Sequence, residues 1–196
     1  MLEEGILLLR PCSTFPAAPA GLASLTPSQV IHACSGAVLG VAGWRKPQSW
    51  TWLSWLLPPV LAVHENDDAP LLFTVHRRWR WLSSWEVRDA DGRVVGTVCG
   101  PLLRDRLGRR LALCEREESD NSVRVRDDTG CHLMSLTTLP HERRLTFALA
   151  VEKDPFLKML LLAAALLLDP HLLRHMTDPT TPVSPQTTAG PLSPDE

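Results

Sequence analysis

The chain has 196 residues, of which 44% are hydrophobic, and its 20 basic and 22 acidic side chains leave a net charge of -2. This length is enough for one domain with a core of its own. A nearly neutral chain excludes a protein whose whole surface is shaped for a polyanion, so nucleic acid is not favoured as a partner. Residues 71–151 contain 14 Arg, no Lys and 11 acidic residues, so any basic site must be a local patch.

The five cysteines are scattered along the chain and include no Cys-x-x-Cys pair. This spacing is typical neither of a zinc site nor of a disulfide framework, and it favours free thiols in a reducing compartment. Glu3 and Glu4 stand where a secretory signal needs positive charge, and the apolar stretch GILLL is too short for one. We therefore expect a cytoplasmic protein.

The two ends of the chain differ in composition from its middle. Residues 1–29 are rich in Pro, Ala and Ser, and residues 176–196 are rich in Pro and Thr. Such segments bury too little surface to offset the entropy of ordering them. The sequence therefore predicts flexible tails at 1–29 and 176–196 and one folded domain at 30–175.

Apolar and polar residues alternate over residues 71–88, which is the pattern of a strand with one buried and one wet face. Within HRRWRW (76–81), this alternation places Arg78 and Arg80 on the outward face. Arg77 breaks the pattern because it falls on the apolar side. The residues predicted to point inward are Trp79, Trp81 and Trp85.

Turn signals with an acidic residue and a glycine follow the strands at short intervals. DADG (89–92) and DDTG (127–130) both belong to the pattern Val-Arg-Asp-x-x-Gly, and residues 61–73 are a looser third version. Glycine supplies the positive φ angle that such a turn needs. With LTFALAV (145–151) as a last strand, these segments predict an antiparallel meander. The residues expected to form turns rather than to hold calcium are Asp89, Asp91, Asp127 and Asp128.

The segment DPFLKMLLLAAALLLD predicts a helix over 155–168, with Asp154 as its N-cap and Pro155 at its first position. This helix is apolar on every side, so it must be surrounded by protein or by lipid. Its apolar run of 13 residues is about 20 Å long and contains Lys158, whereas a membrane span needs about 20 apolar residues. Burial inside the protein is favoured, and a short membrane-inserting segment is the alternative.

The order of these pieces resembles the tubby-like barrel superfamily, in its phospholipid scramblase and LURP-one-related branch. The resemblance covers about residues 30–170 and implies an α+β, mainly β fold. In that fold, a closed antiparallel β-barrel is wrapped around a central hydrophobic C-terminal helix. The residues that carry the resemblance are GAVLGVAGW, PLLFTVHRRW, WEVRDADGRVVGTV, VRVRDDTG and LTFALAVEKDPFLKMLLLAAALLL.

Two features of that branch are missing. Animal scramblases carry an acidic calcium-binding segment before the last helix, where this chain has HERRLTFALAVEKD with isolated carboxylates, and they carry clustered cysteines for palmitoylation. The resemblance therefore implies neither calcium-triggered lipid transfer nor a lipid anchor. Tubby-type members hold phosphoinositide head groups through basic residues on the barrel, and none of those ligand positions is carried over to this chain.

Arginines are the candidate ligands for lipid phosphate, because the planar guanidinium donates two hydrogen bonds at once. An anionic membrane attracts each basic residue near its surface by about 1 kcal/mol. The alternative is a solvated strand face on which these arginines pair with neighbouring acids. The candidates are Arg77, Arg78, Arg80, Arg88, Arg104, Arg109 and Arg110.

Other groups of residues point less clearly to a site. We expect Trp50, Trp52 and Trp55 to pack in the core or on an edge strand. The alternative is that they insert into a membrane interface, where tryptophan is favoured. His171 and His175 share a helix face, but no further ligand follows at metal spacing. The sequence has no phosphate-binding loop, nucleophile elbow or paired catalytic carboxylates, so we expect no enzyme activity, metal or cofactor.

Three functions agree with these observations. The first is a non-enzymatic barrel that binds anionic phospholipid head groups at a membrane surface, as a peripheral membrane protein. The second is an interaction protein whose Pro-rich tails recruit protein partners while the barrel is a scaffold. The third is phospholipid scrambling through the apolar helix.

Overall fold

The computed structural model describes residues 2–11, 25–45, 58–65, 70–78, 84–117 and 121–168. Its strands are β1 (Ile6–Pro11), β2 (Leu25–Ala33), β3 (Val38–Arg45), β4 (Val60–Glu65), β5 (Leu71–Arg77), β6 (Ser84–Asp89), β7 (Val94–Cys99), β8 (Leu102–Asp105), β9 (Arg110–Glu117), β10 (Ser122–Asp127), β11 (His132–Thr138) and β12 (Arg143–Phe147). Each strand pairs antiparallel with the next, and β12 pairs with β1, so these twelve strands form a closed barrel. A 3-10 turn (Leu149–Val151) leads into helix α1 (Pro155–Leu167). This confirms the predicted fold class: mainly β, a closed antiparallel meander with one C-terminal helix.

The strand that closes the barrel comes from the segment predicted to be a flexible N-terminal tail. β1 lies between β2 and β12, and its Leu7 pairs with both Ala33 and Leu145. Leu7 and Leu9 are buried in the interior. The prediction of a tail over 1–29 is therefore wrong at β1 and at the start of β2. It failed because β1 depends on a partner at the far end of the domain, which leaves no local signal. The tail predicted at 176–196 lies outside the described residues.

Helix α1 is enclosed by the barrel. Residues 160–165 are each at most 1% exposed, and this run is longer than one helical turn, so no side of it faces water. The prediction that the all-apolar helix is buried in protein is thereby confirmed. The wall side chains that form one apolar cluster with the helix include Leu7, Leu9, Ile31, Leu61, Val63, Phe73, Val75, Val87, Val98, Leu103, Val125, Met134, Leu136 and Leu145.

The helix approaches the wall closely at Gly96 in β7. A Cβ atom at this position would lie 2.4 Å from the main-chain oxygen of Arg104 on β8 and 3.2 Å from a methyl carbon of Leu160 on the helix. A side chain would therefore push both neighbours away. Glycine at this position allows α1 to rest directly on β7.

Both ends of the helix are capped by side chains. Asp154 Oδ1 accepts hydrogen bonds from the main-chain nitrogens of Phe156 and Leu157, both at 3.0 Å, which confirms the predicted N-cap. At the other end, Arg143 Nη1 donates to the carbonyl oxygen of Ala165 at 3.0 Å and to that of the C-cap residue at 3.1 Å. A cation at this position also complements the helix dipole. Arg143 thus serves the interior of the barrel.

Lys158 is fully buried inside the barrel. Its Nζ donates to the main-chain oxygen of Leu2 and lies 5.5 Å from the centroid of the Phe147 ring. Burying an ammonium group is costly, and one neutral acceptor and one ring offset that cost only in part. The hydrogen bond to Leu2 holds the first residues of the chain against the beginning of the helix.

In a meander every second connection lies at the same end of the barrel. The end at which β12 leads into α1 therefore also carries the connections β2–β3, β4–β5, β6–β7, β8–β9 and β10–β11, and we call it the turn end. The last three of these turns share the sequence Arg-Asp-x-x-Gly, and in each the Asp nitrogen donates to the carbonyl four residues later. The glycines have φ angles of 79° to 83°.

The third copy of this turn is LRDRLG (103–108), which the sequence comparison of turns missed. Residues 61–73, predicted to be a looser third version of this turn, form a hairpin between β4 and β5. Its closing hydrogen bond joins Glu65 N to Pro70 O at 3.2 Å, five residues apart instead of four. The meander prediction is confirmed, and the identity of the third repeat is corrected.

Gly96→Ala is expected to lower the free energy of unfolding by about 1–3 kcal/mol, because overpacking forces the backbone and neighbouring side chains to shift. Urea denaturation followed by circular dichroism measures the change. Gly5→Ala is the matched control, since a Cβ at Gly5 would meet Glu152 only at 3.4 Å, an ordinary contact distance. Equal stability of Gly96→Ala and the control would contradict the close approach of α1 to β7.

Lys158→Met is expected to leave the free energy of unfolding unchanged or to raise it by about 1–2 kcal/mol, because methionine fills a similar volume without a buried charge. Lys158→Ala should lower it by about 2–5 kcal/mol, because it leaves a cavity. The two variants separate the charge of the side chain from its volume in one denaturation experiment. A loss in Lys158→Met as large as that in Lys158→Ala would show that the contact with Leu2 itself holds the fold together.

Candidate functional site

The predicted arginines lie at two opposite ends of the barrel. Arg77 is the last residue of β5 and Arg78 follows it, at the end opposite the turn end. Arg80 lies outside the described residues. The structure therefore does not bring the candidates together in one patch. The candidates at the turn end are Arg88, Arg104, Arg109 and Arg110.

The arginines of the turn end have partners within the barrel surface. Arg104 Nη1 donates to the carbonyl oxygen of Gly108 at 3.0 Å. The other three pair with acids, as in the alternative of a solvated strand face. Of these pairs, Arg110–Asp128 is exposed on both sides, and such a pair contributes only about 0–1 kcal/mol, so this guanidinium group can exchange its carboxylate for another anion. The pairs are Arg88–Glu86 at 2.6 Å, Arg109–Asp105 at 2.7 Å and Arg110–Asp128 at 3.1 Å.

Arg77 differs from the other candidates because it points into the barrel. It lies on the same strand face as the buried Phe73 and Val75, and its guanidinium carbon lies 5.6 Å from the centroid of the Trp85 ring. Trp85 in turn packs against Trp44, with 5.9 Å between ring centroids. The inward direction of Trp85 and the placement of Arg77 on the apolar side are confirmed. Trp79 and Trp81 lie outside the described residues.

The aspartates that open the repeated turns accept hydrogen bonds from the turn itself. Asp105 Oδ1 accepts from Leu107 N at 2.8 Å and from Arg109 N at 2.9 Å. Partial desolvation acts to raise the pKa of Asp105, but these bonds and the Arg109 side chain together lower it below its ordinary value.

Asp127 is held in the same way. Its Oδ1 accepts from the Thr129 hydroxyl at 2.7 Å and from Cys131 N at 2.8 Å. The Thr129 hydroxyl contributes most to a lowered pKa of Asp127, which desolvation opposes and the main-chain donors of the turn reinforce. The prediction that Asp89 and Asp127 are turn formers is confirmed, since Asp89 Oδ1 likewise accepts from the nitrogen four residues later.

Large apolar side chains are exposed mainly at the turn end. Leu149 is 80% exposed, Leu107 69% and Phe156 55%, and all three lie at this end. In the described ranges the fourth such residue is Leu139, 41% exposed, in the β11–β12 connection at the opposite end. Leu149 and Phe156 stand on either side of the chain's entry into the helix, and Leu107 stands in the β8–β9 turn. We call these three residues the apolar tips.

Two exposed cations accompany the apolar tips in sequence. Arg106 precedes Leu107, and Lys153 lies between Leu149 and Phe156. Neither makes an ion pair with another described residue. Glu152 and Asp154 flank Lys153, however, so the electrostatic attraction of this end for an anionic surface is modest and the apolar contribution is the larger.

A groove of about 550 Å³ lies on the outer face of β9, β10 and β11. Arg124 and Arg126 point outward there, as the alternation with Val123 and Val125 indicates. They were not among the candidates, because no local pattern shows which side chains stand beside them on β11. We call this the β10 groove; its lining residues are Glu117, Ser122, Arg124, Arg126, His132, Ser135 and Thr137.

The described ranges hold no group of three or more His, Cys, Asp or Glu side chains that could bind a metal ion. His171 and His175 lie outside these ranges, as do Trp50, Trp52 and Trp55. Burial raises the pKa of the Cys114 thiol to about 12, so this thiol stays protonated at neutral pH and is a poor nucleophile. No helix in the described part of the chain is both long and apolar enough to cross a membrane.

No family model, no curated protein and no solved structure matches this chain. The functional proposal therefore depends on the barrel, its turn end and the chemistry of its surface.

The lowered pKa values of Asp105 and Asp127 predict a loss of stability in acid. A carboxyl group whose pKa is lower in the folded state contributes stability above its unfolded pKa, and this contribution is lost as the pH falls through the folded value. We expect the barrel to lose stability as the pH falls from about 4 downward. Asp105→Asn and Asp127→Asn should each flatten this part of the pH profile in thermal unfolding, while Asp91→Asn, an exposed turn-tip substitution, should leave it unchanged. If the stability of Asp105→Asn and Asp127→Asn fell as steeply in acid as that of the parent chain, this explanation would be contradicted.

Proposed function

We propose that this chain is a non-enzymatic, tubby-like barrel of the scramblase and LURP-one-related branch that binds phospholipid at a membrane surface. What supports the family assignment is the closed antiparallel meander with a helix buried in it, which is the architecture that the resemblance implies. The proposed mode is peripheral: the turn end contacts the cytoplasmic face of the membrane, and the folded barrel stays in water.

The observation that carries the proposal is the position of the apolar tips. Single exposed apolar residues are common on protein surfaces. Here, three of the four large ones in the described part of the chain occupy one end of the barrel. Leucine and phenylalanine side chains in this position can enter the interface between lipid head groups and acyl chains without any change in the barrel wall.

The arginines of the turn end supply the polar half of this contact. Arg104, Arg109 and Arg110 belong to the β8–β9 hairpin, which also carries Leu107. Asp128, the partner of Arg110, is an exposed carboxylate, and such a pair is weak in water. Lipid phosphate offers a bidentate partner of the kind that a guanidinium prefers.

The proposal predicts that Leu149→Ser combined with Phe156→Ser weakens binding to phosphatidylserine-containing vesicles by about tenfold or more, since burying one such side chain contributes about 1.5–3 kcal/mol. Vesicle co-sedimentation measures the effect, and circular dichroism verifies that the barrel is intact. Arg106→Ala with Lys153→Ala should weaken binding less and should reduce its salt dependence.

The matched control is Leu139→Ser, which changes an exposed leucine at the opposite end of the barrel. It should leave vesicle binding within about twofold of the parent chain, because only the turn end contacts lipid in this proposal. Equal binding by the parent chain and the Leu149, Phe156 double variant would reject a membrane contact through the turn end. An equal loss in Leu139→Ser would place the contact elsewhere on the surface.

A further inference from the structure

The β10 groove lies on the barrel wall, and its shape follows from three cross-strand pairs. Ser122 stands opposite Thr137, Arg124 opposite Ser135, and Arg126 opposite His132. In two of these pairs short hydroxyl side chains occupy positions where longer ones would fill the space. The result is an open depression with a volume of about 550 Å³, which is within the range of small-molecule sites.

The lining of the groove is rich in hydrogen-bond donors. Of its seven side chains, two are guanidinium groups, one is an imidazole and three are hydroxyls, which leaves Glu117 as the single carboxylate. The three hydroxyl groups can also accept, but the guanidinium groups can only donate. Such a lining suits a ligand whose own atoms are oxygen acceptors with negative charge.

Glu117 lies at one side of the groove and contacts two of its lining side chains. Its Oε2 lies 2.8 Å from Arg124 Nη2, and the same oxygen accepts a hydrogen bond from the Ser122 hydroxyl at 3.4 Å. This carboxylate therefore contacts one guanidinium group and one hydroxyl group of the groove lining. Because a guanidinium has five N–H donors, Arg124 keeps donors that Glu117 does not use.

Arg126 is held more loosely than Arg124. Its Nε lies 3.6 Å from Glu115 Oε2, and both side chains are about half exposed. Glu115 is not part of the groove lining, so Arg126 can turn toward a ligand at little cost. Arg124 and Arg126 are two positions apart on β10, which places their Cα atoms about 6.6–6.8 Å apart on the same face. Two long side chains at that separation can converge on a single phosphate group.

We propose that the β10 groove is a binding site for a phosphate monoester, held by Arg124 and Arg126 and by the hydroxyls of Ser135 and Thr137. A monoester presents three terminal oxygens and close to two negative charges at neutral pH, which matches two guanidinium groups and neighbouring hydroxyls better than a singly charged carboxylate does. The site is distinct from the apolar tips, so it does not depend on the membrane contact of the turn end.

The test is titration of the full chain with glycerol 3-phosphate, followed by isothermal calorimetry and by amide shifts in NMR spectra. Saturable binding is expected, with shifts confined to β10 and β11. Arg124→Ala with Arg126→Ala should weaken it at least about tenfold, and Thr137→Val, which removes only a hydroxyl, should weaken it by a smaller factor. Glycerol without phosphate should not bind.

The matched control is Arg78→Ala with Arg93→Ala, which removes the same two charges outside the groove. It should bind glycerol 3-phosphate within about twofold of the parent chain. The site is rejected if the parent chain shows no saturable binding of glycerol 3-phosphate or if both double variants bind it equally.

Vesicles containing phosphatidic acid distinguish a lipid head group from a soluble phosphate as the source of the monoester. Groove-dependent binding to these vesicles together with weak binding of glycerol 3-phosphate supports a lipid. Binding of glycerol 3-phosphate with no preference for phosphatidic acid supports a soluble ligand. The Leu149, Phe156 double variant separates this site from the proposed membrane function, because it should still bind glycerol 3-phosphate.

Discussion

A helix without a polar face must be enclosed, and the rest of this structure depends on that requirement. Residues 160–165 are buried on every side, so the sheet has to surround them completely. A sheet that surrounds a helix has no free edges, which also removes the unpaired backbone groups that make open sheets prone to aggregate. The N-terminal strand β1 completes the enclosure by pairing with both β2 and β12. An apolar helix near the C-terminus therefore determines the role of a segment near the N-terminus.

Enclosure also decides where the polar groups of the interior lie. Arg143 caps the final turn of the helix from the wall, and Lys158 is fastened to the main chain of Leu2. Arg77 lies over Trp85. Each of these three cations thus has an acceptor or an aromatic ring beside it, as expected where water is excluded. These three residues belong to the interior, whatever the outer surface binds.

The two proposed binding regions lie apart on the outer surface. The apolar tips and the charged hairpins lie together at the turn end, because every second connection of a meander lies at the same end of the barrel. The β10 groove instead arises on the wall, where short hydroxyl side chains of β11 stand beside two arginines of β10. The arginines of both regions pair with carboxylates, and Arg124 and Arg126 also line a groove. The number of arginines in the sequence does not show that they belong to two regions.

The sequence by itself determined what depends on neighbours along the chain. Alternation placed Trp85 and Arg77 on the inner face, and Asp154 was recognisable as a helix cap. The turns that begin at Asp89 and Asp127 also follow from local chemistry, and the third copy at Asp105 was equally readable, since it has the same Arg-Asp-x-x-Gly pattern. Only the tertiary structure decided that β1 is a wall strand, that the apolar tips share one end, and that Arg124 and Ser135 face one groove. These facts rest on pairings between distant segments, because strand closure and cross-strand contact join residues whose local sequence says nothing about each other.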